Sequence, residues 1–197
     1  MVVTTSMLKE QYSAYANPLD KIKRDAKNGL LFRINRGIYE TDSSTDPYLL
    51  ASSILSPSYL SFDFALSYYG LIPEKVVSVT SASLNVRKNR TFINAFGRFE
   101  FSDIPADAFS EGLTYIEEGN YIVKIATKEK AICDSLYKWR VTSSVRELKE
   151  LLFIDKRIDE TEFEACDFEQ MSRLAELYHR TNLTLLNKLI RKEYRNG

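Results

Sequence analysis

Lys21, Lys23, Arg24, Lys27, Arg33 and Arg36 crowd one short stretch of the chain, and only Asp25 opposes them. Long cationic side chains at that density suit phosphate oxygens, an attraction that depends on salt and is largely indifferent to sequence. Lys23 and Lys27 are four apart with Arg24 beside them, so a helix groups them on one side. Asn28 and the arginines also carry donors that reach base edges, where a bidentate arginine reads guanine. The stretch has a surplus of five positive charges in a chain of 27 basic and 27 acidic residues. Binding of a polyanion by bulk charge is therefore excluded, and a local basic face is what remains. Without a partner, the same residues make a solvated helix face and a charged hairpin.

A second set lies in the run Ala126-Thr127-Lys128-Glu129-Lys130-Ala131-Ile132-Cys133-Asp134. Glu129 beside Lys128 or Lys130, with Glu100 and Asp103 earlier, supplies the residue types of metal-dependent hydrolysis. That chemistry needs acidic oxygens clustered around a hard cation. The spacing specifies no such cluster. Thr127 as N-cap and Glu129 in the first turn explain the same run as a helix start. Cys133 reads as a small core residue rather than a nucleophile. His179 is the lone histidine, which excludes multi-histidine metal sites and leaves a histidine-based triad without support. Neither GxGxxG nor GxxxxGK[ST] occurs, so the usual nucleotide loops are absent and no cofactor or metal is expected.

These residues need elements to position them. Met7 to Tyr15 predicts a short helix with Leu8, Tyr12 and Tyr15 on one face. Asn17 caps a second helix over Pro18 to Asn28, with Leu19, Ile22 and Ala26 on its buried side and Gly29 just past its end. Leu30, Phe32 and Ile34 alternate with Leu31, Arg33 and Asn35 as a strand. Asn35-Arg36-Gly37 turns it back into a second strand over Ile38 to Thr41. Helix, helix and hairpin sketch a short winged helix-turn-helix over residues 1–42, with Arg33 and Arg36 on the wing.

The polar connector at 42–46 leads to a helix from Asp46-Pro47 to about Leu55. Tyr59 to Ser61 reads as a short strand and Asp63 to Tyr69 as a helix stopped by Gly70. From Val76 the period becomes two: VVSVTSAS, RTFIN, GRFEFSDI and LTYIEEGNYIVKIAT all read as strands. Helices return after Thr127. Ser143 or Ser144 caps one that runs through Leu152, with Glu147 as reciprocal partner. Residues 168–194 form an amphipathic tail broken near Thr181-Asn182. Arg173, Arg180, Lys188, Arg191, Lys192 and Arg195 make that tail basic, a surface suited to an acidic protein or RNA.

The class is that of an ordinary globular chain. At 197 residues, 44% hydrophobic and 27% charged, it can build a real core in one or two domains. No apolar run is long enough to span a membrane, and the N-terminus lacks the features of a secretory signal. Two cysteines, Cys133 and Cys166, make no disulfide framework and fit a reducing cytosol, so the expected location is cytoplasmic. The expected fold is α+β: the winged helix-turn-helix at 1–42, then an α/β domain at 43–197 with a mixed sheet and C-terminal helices.

The order of motifs resembles the AbiEi-type antitoxins, transcriptional regulators of type IV toxin–antitoxin (abortive infection) systems. KNGLLFRINRGIYET is similar to the wing hairpin of that family, and SFDFALSYYGLIPE to its serine, alanine-leucine, tyrosine, glycine-leucine helix. VVSVTSAS, RTF and GRFEFSDI resemble its central β region. Ala126, Glu129, Lys130, Ala131 and Asp134 match its alanine–x–x–glutamate–lysine–alanine–x–x–aspartate helix start. The resemblance covers roughly residues 8–140.

It implies a non-enzymatic protein that binds double-stranded operator DNA, represses its own operon and counters a nucleotidyltransferase toxin, with no direct toxin contact assumed and no membrane partner. The chain departs from the family in having room for two helices before the wing, where three are usual. The helix at 46–55 would then supply the missing packing. Two other readings of the residues stand beside this one. One is a metal-dependent nuclease-like enzyme using Glu129 and Lys130. The other is a protein-interaction module that uses the C-terminal helices and binds no DNA.

Overall fold

The shift of period along the chain, from helical spacing to alternation and back, is the plan of the molecule. The computed structural model describes residues 1–84 and 89–194. It is α+β, with a mixed six-stranded sheet and several helices.

The chain begins with β1 (Val2–Thr4), α1 (Thr5–Gln11), α2 (Pro18–Lys27), β2 (Phe32–Asn35) and β3 (Ile38–Glu40). β1 and β2 both pair antiparallel with β3, which lies between them. Thr4 accepts from the Met7 amide and starts α1 earlier than its apolar pattern predicts. Asn17 accepts from the Asp20 amide, and Pro18 occupies the first turn of α2. Gly29 adopts φ +72° directly after the helix, a left-handed conformation that suits glycine at that point.

Val3, Leu8, Ile22 and Leu31 form a small apolar cluster of their own. Three expected placements fail here. Leu19 and Tyr15 are 44% and 49% exposed. The inward stripe of α2 is Ile22, Asp25 and Ala26, so the position expected of Leu19 is taken by a carboxylate. Leu30 is also exposed, because the strand begins only at Phe32 and a register shift between Arg33 and Asn35 breaks the simple alternation.

A 3₁₀ turn, Pro47–Leu50, runs into α3 (Ala51–Ile54) in place of the single helix expected there. β4 (Ser58–Leu60), α4 (Phe62–Tyr68), β5 (Val79–Ser83), β6 (Arg90–Asn94), β7 (Gly97–Asp103), α5 (Ala106–Phe109), β8 (Leu113–Glu118) and β9 (Tyr121–Ala126) follow. The sheet order is β6-β7-β5-β4-β9-β8. β5 and β7 are parallel, as are β4 and β9; the other neighbours are antiparallel.

The rest is helical: α6 (Lys128–Lys138), α7 (Val145–Lys149) continuing as a π-helical stretch to Asp155, α8 (Glu160–Glu164), α9 (Phe168–Glu176) and α10 (Thr181–Leu189). A second π-helical stretch, Ile190–Tyr194, follows. α6 packs between α4 and α9, and α10 closes over α6, α7 and α9. The break in the tail falls at His179, which has φ +50°, just before the predicted position. β1, α5 and α8 were not predicted. Each has three to five residues, too few to show a period.

The first unit is fastened to the large sheet at two hairpin tips. Asn94, at the β6–β7 tip, donates to the Ile34 carbonyl at 2.9 Å, and Phe96 meets Phe32 edge-on. Tyr121, at the β8–β9 tip, donates to Glu40 at 2.7 Å. Asn35 donates to the Ile54 carbonyl at 2.7 Å, and Ile34 enters the main core with Leu50 and Ile54. The 47–54 segment therefore does pack against β2, while its own buried side chains belong to the larger core.

One glycine is held by space as well as by angle. Gly112 has φ +68°, and a Cβ there would lie 3.0 Å from the Lys130 Cβ and from a Leu174 methyl. Both neighbours are part of the core. Gly112→Ala is expected to destabilise the chain by about 1–3 kcal/mol, from strain and overpacking together. Urea unfolding checks this, and an unchanged midpoint would refute it.

Candidate nucleic-acid interface

α2 and the β2–β3 hairpin carry the basic cluster, and the two faces of the helix treat its charges differently. Lys23, Arg24, Lys27 and Asn28 are exposed. Lys23 makes one loose contact with Asp20 at 3.3 Å, between two exposed groups, which solvent screens. Arg24 and Lys27 fall in the last turn, where positive charge is favourable to the helix itself.

Lys21 departs from the expected role of a phosphate anchor. Its ammonium lies 2.5 Å from Asp25 Oδ1 and above the rings of Tyr12 and Tyr15. It neutralises a buried carboxylate, so its charge is spent inside the unit. The bond from Lys21 holds the Asp25 carboxyl below the usual range; burial opposes this, and the Tyr12 hydroxyl adds to the lowering.

On the hairpin, Arg33 and Arg36 are exposed. Arg33 Nε reaches the Asn35 carbonyl at 3.3 Å, and the Arg36 amide donates to the Asn35 side chain at 2.7 Å. Gly37, at φ +74°, makes the turn. Lys23, Arg24, Lys27, Asn28, Arg33 and Arg36 are thus solvent-facing on one small unit.

The second group of residues is buried throughout. Ala126, Lys130, Ala131 and Asp134 are completely enclosed, and Glu129 nearly so. Thr127 caps α6 by accepting from the Lys130 amide, as its position predicts. The Lys130 ammonium donates to the Ala108 carbonyl at 2.5 Å and to the Tyr178 hydroxyl at 2.6 Å, and it pairs with Asp134 at 3.2 Å.

Asp134 also accepts from Tyr178 at 2.6 Å, from Ser61 at 2.6 Å and from Tyr59 at 3.0 Å. Burial first, and then the Asp134 charge, push the hydroxyls of Tyr59 and Tyr178 far above their ordinary range, so both stay protonated donors. Glu129 turns the other way and accepts from the Asp167 amide at 2.9 Å, at the start of α9.

The nuclease reading needs Glu129 and Lys130 to face a substrate. Instead Glu129 accepts from the backbone at the start of a helix, and Lys130 is sealed among protein acceptors. Among the described residues, no three His, Cys, Asp or Glu side chains form a group that could hold a metal ion. Cys133 and Cys166 are free and buried. Burial pushes the Cys166 thiol up to about 12 and Cys133 higher still, so neither is activated as a nucleophile.

No protein-family model matches the chain, and a search of curated proteins finds no match. No helix among the described residues is long and apolar enough to cross a membrane.

The sequence singled out Lys130 and Asp134 but missed Tyr59, Ser61, Tyr178 and the Ala108 carbonyl as their partners. Those lie in distant elements, and their residue types signal only packing or a turn. Of the basic tail, Arg195 lies outside the described residues.

Two outcomes follow. Lys130→Ala leaves Asp134 buried without its cation, and a loss of about 3–5 kcal/mol in urea unfolding is expected. Lys130→Met combined with Asp134→Asn, which keeps an acceptor for the three hydroxyls, is expected to cost less than the sum of the two single changes. Strictly additive losses would overturn the pairing.

Asp25 sets a pH dependence. Its folded value is depressed, so its contribution is present above the unfolded carboxylate range near about pH 4 and is lost as pH falls through the folded value. Asp25→Asn is expected to lose about 1–3 kcal/mol at neutral pH and to show a flatter acid decline. Parallel stability–pH curves for the two proteins would contradict this.

Proposed function

We propose that the chain is a DNA-binding transcriptional regulator of the AbiEi antitoxin type, with a winged helix-turn-helix formed by residues 1–42. The observation that carries this reading is the solvent exposure of Lys23, Arg24, Lys27 and Asn28 on α2 and of Arg33 and Arg36 on the hairpin of the same small unit. In this reading α2 enters the major groove of operator duplex and the β2–β3 turn lies along the backbone. The lysines anchor phosphates, Asn28 and Arg24 face base edges, and Arg33 and Arg36 hold the wing to the backbone or the adjacent minor groove.

The reading gives Lys21 a different part from its neighbours. It sets the helix by holding Asp25, and leaves the outer face to Lys23, Arg24 and Lys27. The motif at Ala126, Glu129, Lys130, Ala131 and Asp134 then serves as a structural fastening of the domain at 43–197 rather than as a catalytic group. As a type IV antitoxin, the protein represses its own operon and opposes a nucleotidyltransferase toxin without a stable complex. It acts in the cytoplasm, as a non-enzyme, without cofactor or metal.

Fluorescence anisotropy with duplex DNA from upstream of the gene, against a scrambled duplex over a salt series, tests the reading. Preferential, salt-dependent binding to the native duplex is expected. Lys23→Glu, Arg24→Glu and Lys27→Glu together are expected to abolish it while the fold persists, because all three side chains face solvent. A folded triple variant that binds equally well would sink the helix assignment.

A further inference from the structure

A second concentration of positive charge lies at the other end of the chain. A cleft of about 470 Å³ opens where α9 turns into α10, lined by Glu176, His179, Arg180, Asn187, Lys188 and Arg191. His179, at φ +50°, makes the turn that sets one helix against the other. Arg180, Lys188 and Arg191 are exposed, and among the described residues none of them makes an ion pair. Three cations and one carboxylate, Glu176, thus line the same concave surface.

A smaller hollow of about 200 Å³ continues from Arg180 and is lined by Tyr137, Lys138, Trp139 and the first residues of α10. The Arg180 guanidinium lies over the Tyr137 ring at 4.9 Å, and the Lys156 ammonium over Trp139 at 5.1 Å. Both rings are half-buried, and each is already paired with a cation. α10 begins there with no side-chain cap on its amides, so its positive end also faces the hollow.

A single strand of nucleic acid needs two things in alternation: cations that follow its phosphates, and flat groups on which its unpaired bases rest. This surface has cations in the cleft and, joined to it at Arg180, the guanidinium–Tyr137 stack and the Trp139 ring in the hollow. A duplex would have its base faces stacked away from Tyr137 and Trp139, and an acidic peptide would use the cations but leave the rings and the guanidinium plane idle. We propose that the α9–α10 cleft and the adjoining Tyr137–Trp139 hollow bind a single-stranded nucleic-acid segment. Arg180, Lys188 and Arg191 hold its phosphates, and a base stacks against the Arg180–Tyr137 pair. This site is distinct from the α2 face and does not rest on the operator-binding reading.

The test uses the full chain and a fluorescein-labelled single-stranded oligouridylate of about twelve nucleotides, read by anisotropy over a potassium chloride series. Salt-dependent binding is expected. Lys188→Glu with Arg191→Glu is expected to weaken it at least tenfold, and the log–log salt slope to fall by about 1.4 for two lost phosphate contacts. Circular dichroism checks the fold; should the double variant unfold, Arg191→Gln alone is expected to weaken binding in the same direction. The Lys23, Arg24, Lys27 triple variant, which removes the phosphate contacts of the α2 face, is expected to retain salt-dependent binding of the oligonucleotide that the cleft changes weaken further. No binding by the parent, unchanged binding by the cleft variants, loss of binding in the α2 variant, or equally good competition by a polyglutamate peptide or by inorganic phosphate would each overturn the proposal.

Discussion

A lysine and an aspartate with no access to water hold the larger part of this molecule together. Two unshielded charges in a core are costly, and the cost is offset only where every remaining donor and acceptor is used. Lys130 and Asp134 meet that condition by drawing on β4, the residue after it, α5 and the end of α9 at once. The partners come from one strand end, from α5 and from the residues that follow α9, so the pair acts as a coordinate origin. The direction of α6 fixes where Tyr59, Ser61, the Ala108 carbonyl and Tyr178 must lie. Glu129, on the same helix, extends the arrangement to the start of α9. An apolar core would fill the same space but would not specify which strand end and which helix end meet there.

A similar economy operates in the first unit, at a smaller scale. Four buried apolar side chains make a meagre core, and Asp25 sits among them as a charge that must be answered. Lys21 answers it, with its ammonium over two tyrosine rings. Glu40 is a second buried carboxylate of this unit. Burial works to raise its value, but the Met1 ammonium, the Tyr121 hydroxyl and the Asp42 and Thr41 amides outweigh it and hold the group ionised. Of these partners, Tyr121 belongs to the large sheet. The charge that stabilises the unit is therefore also a bond to its neighbour.

Much of the element order was legible, because β5 to β9 alternate, α2, α6 and α9 carry caps, and α10 carries periodic apolar residues. The bounds of β6 match the RTFIN run, and Thr127 caps where its neighbours say it should. What stayed hidden has a physical cause in each case. Short elements such as Val2–Thr4 have no period to detect. Leu19 looked buried because apolar spacing cannot show that a carboxylate takes the inward position on α2. Lys21 looked like its neighbours because an (i, i+4) ion pair to a buried Asp25 reads, in sequence, as one more surface pair. Of the candidate interface, the charge pattern was visible; the sorting of that charge into inward and outward sides was not.

The grip of the two hairpin tips on β2 and β3 has a mechanical meaning. The β6–β7 and β8–β9 hairpins lie at opposite edges of the six-stranded sheet, and they clasp the small unit from both. A load placed on α2 therefore spreads across the whole width of the sheet instead of bending a single linker. The small unit is less a reading head on a tether than a capstone set across an arch: the sheet that carries it also fixes its tilt. Lifted out at the 42–46 connector, it would leave behind Asn94, Tyr121 and the Ile54 carbonyl, and with them much of what gives its hairpin a fixed direction.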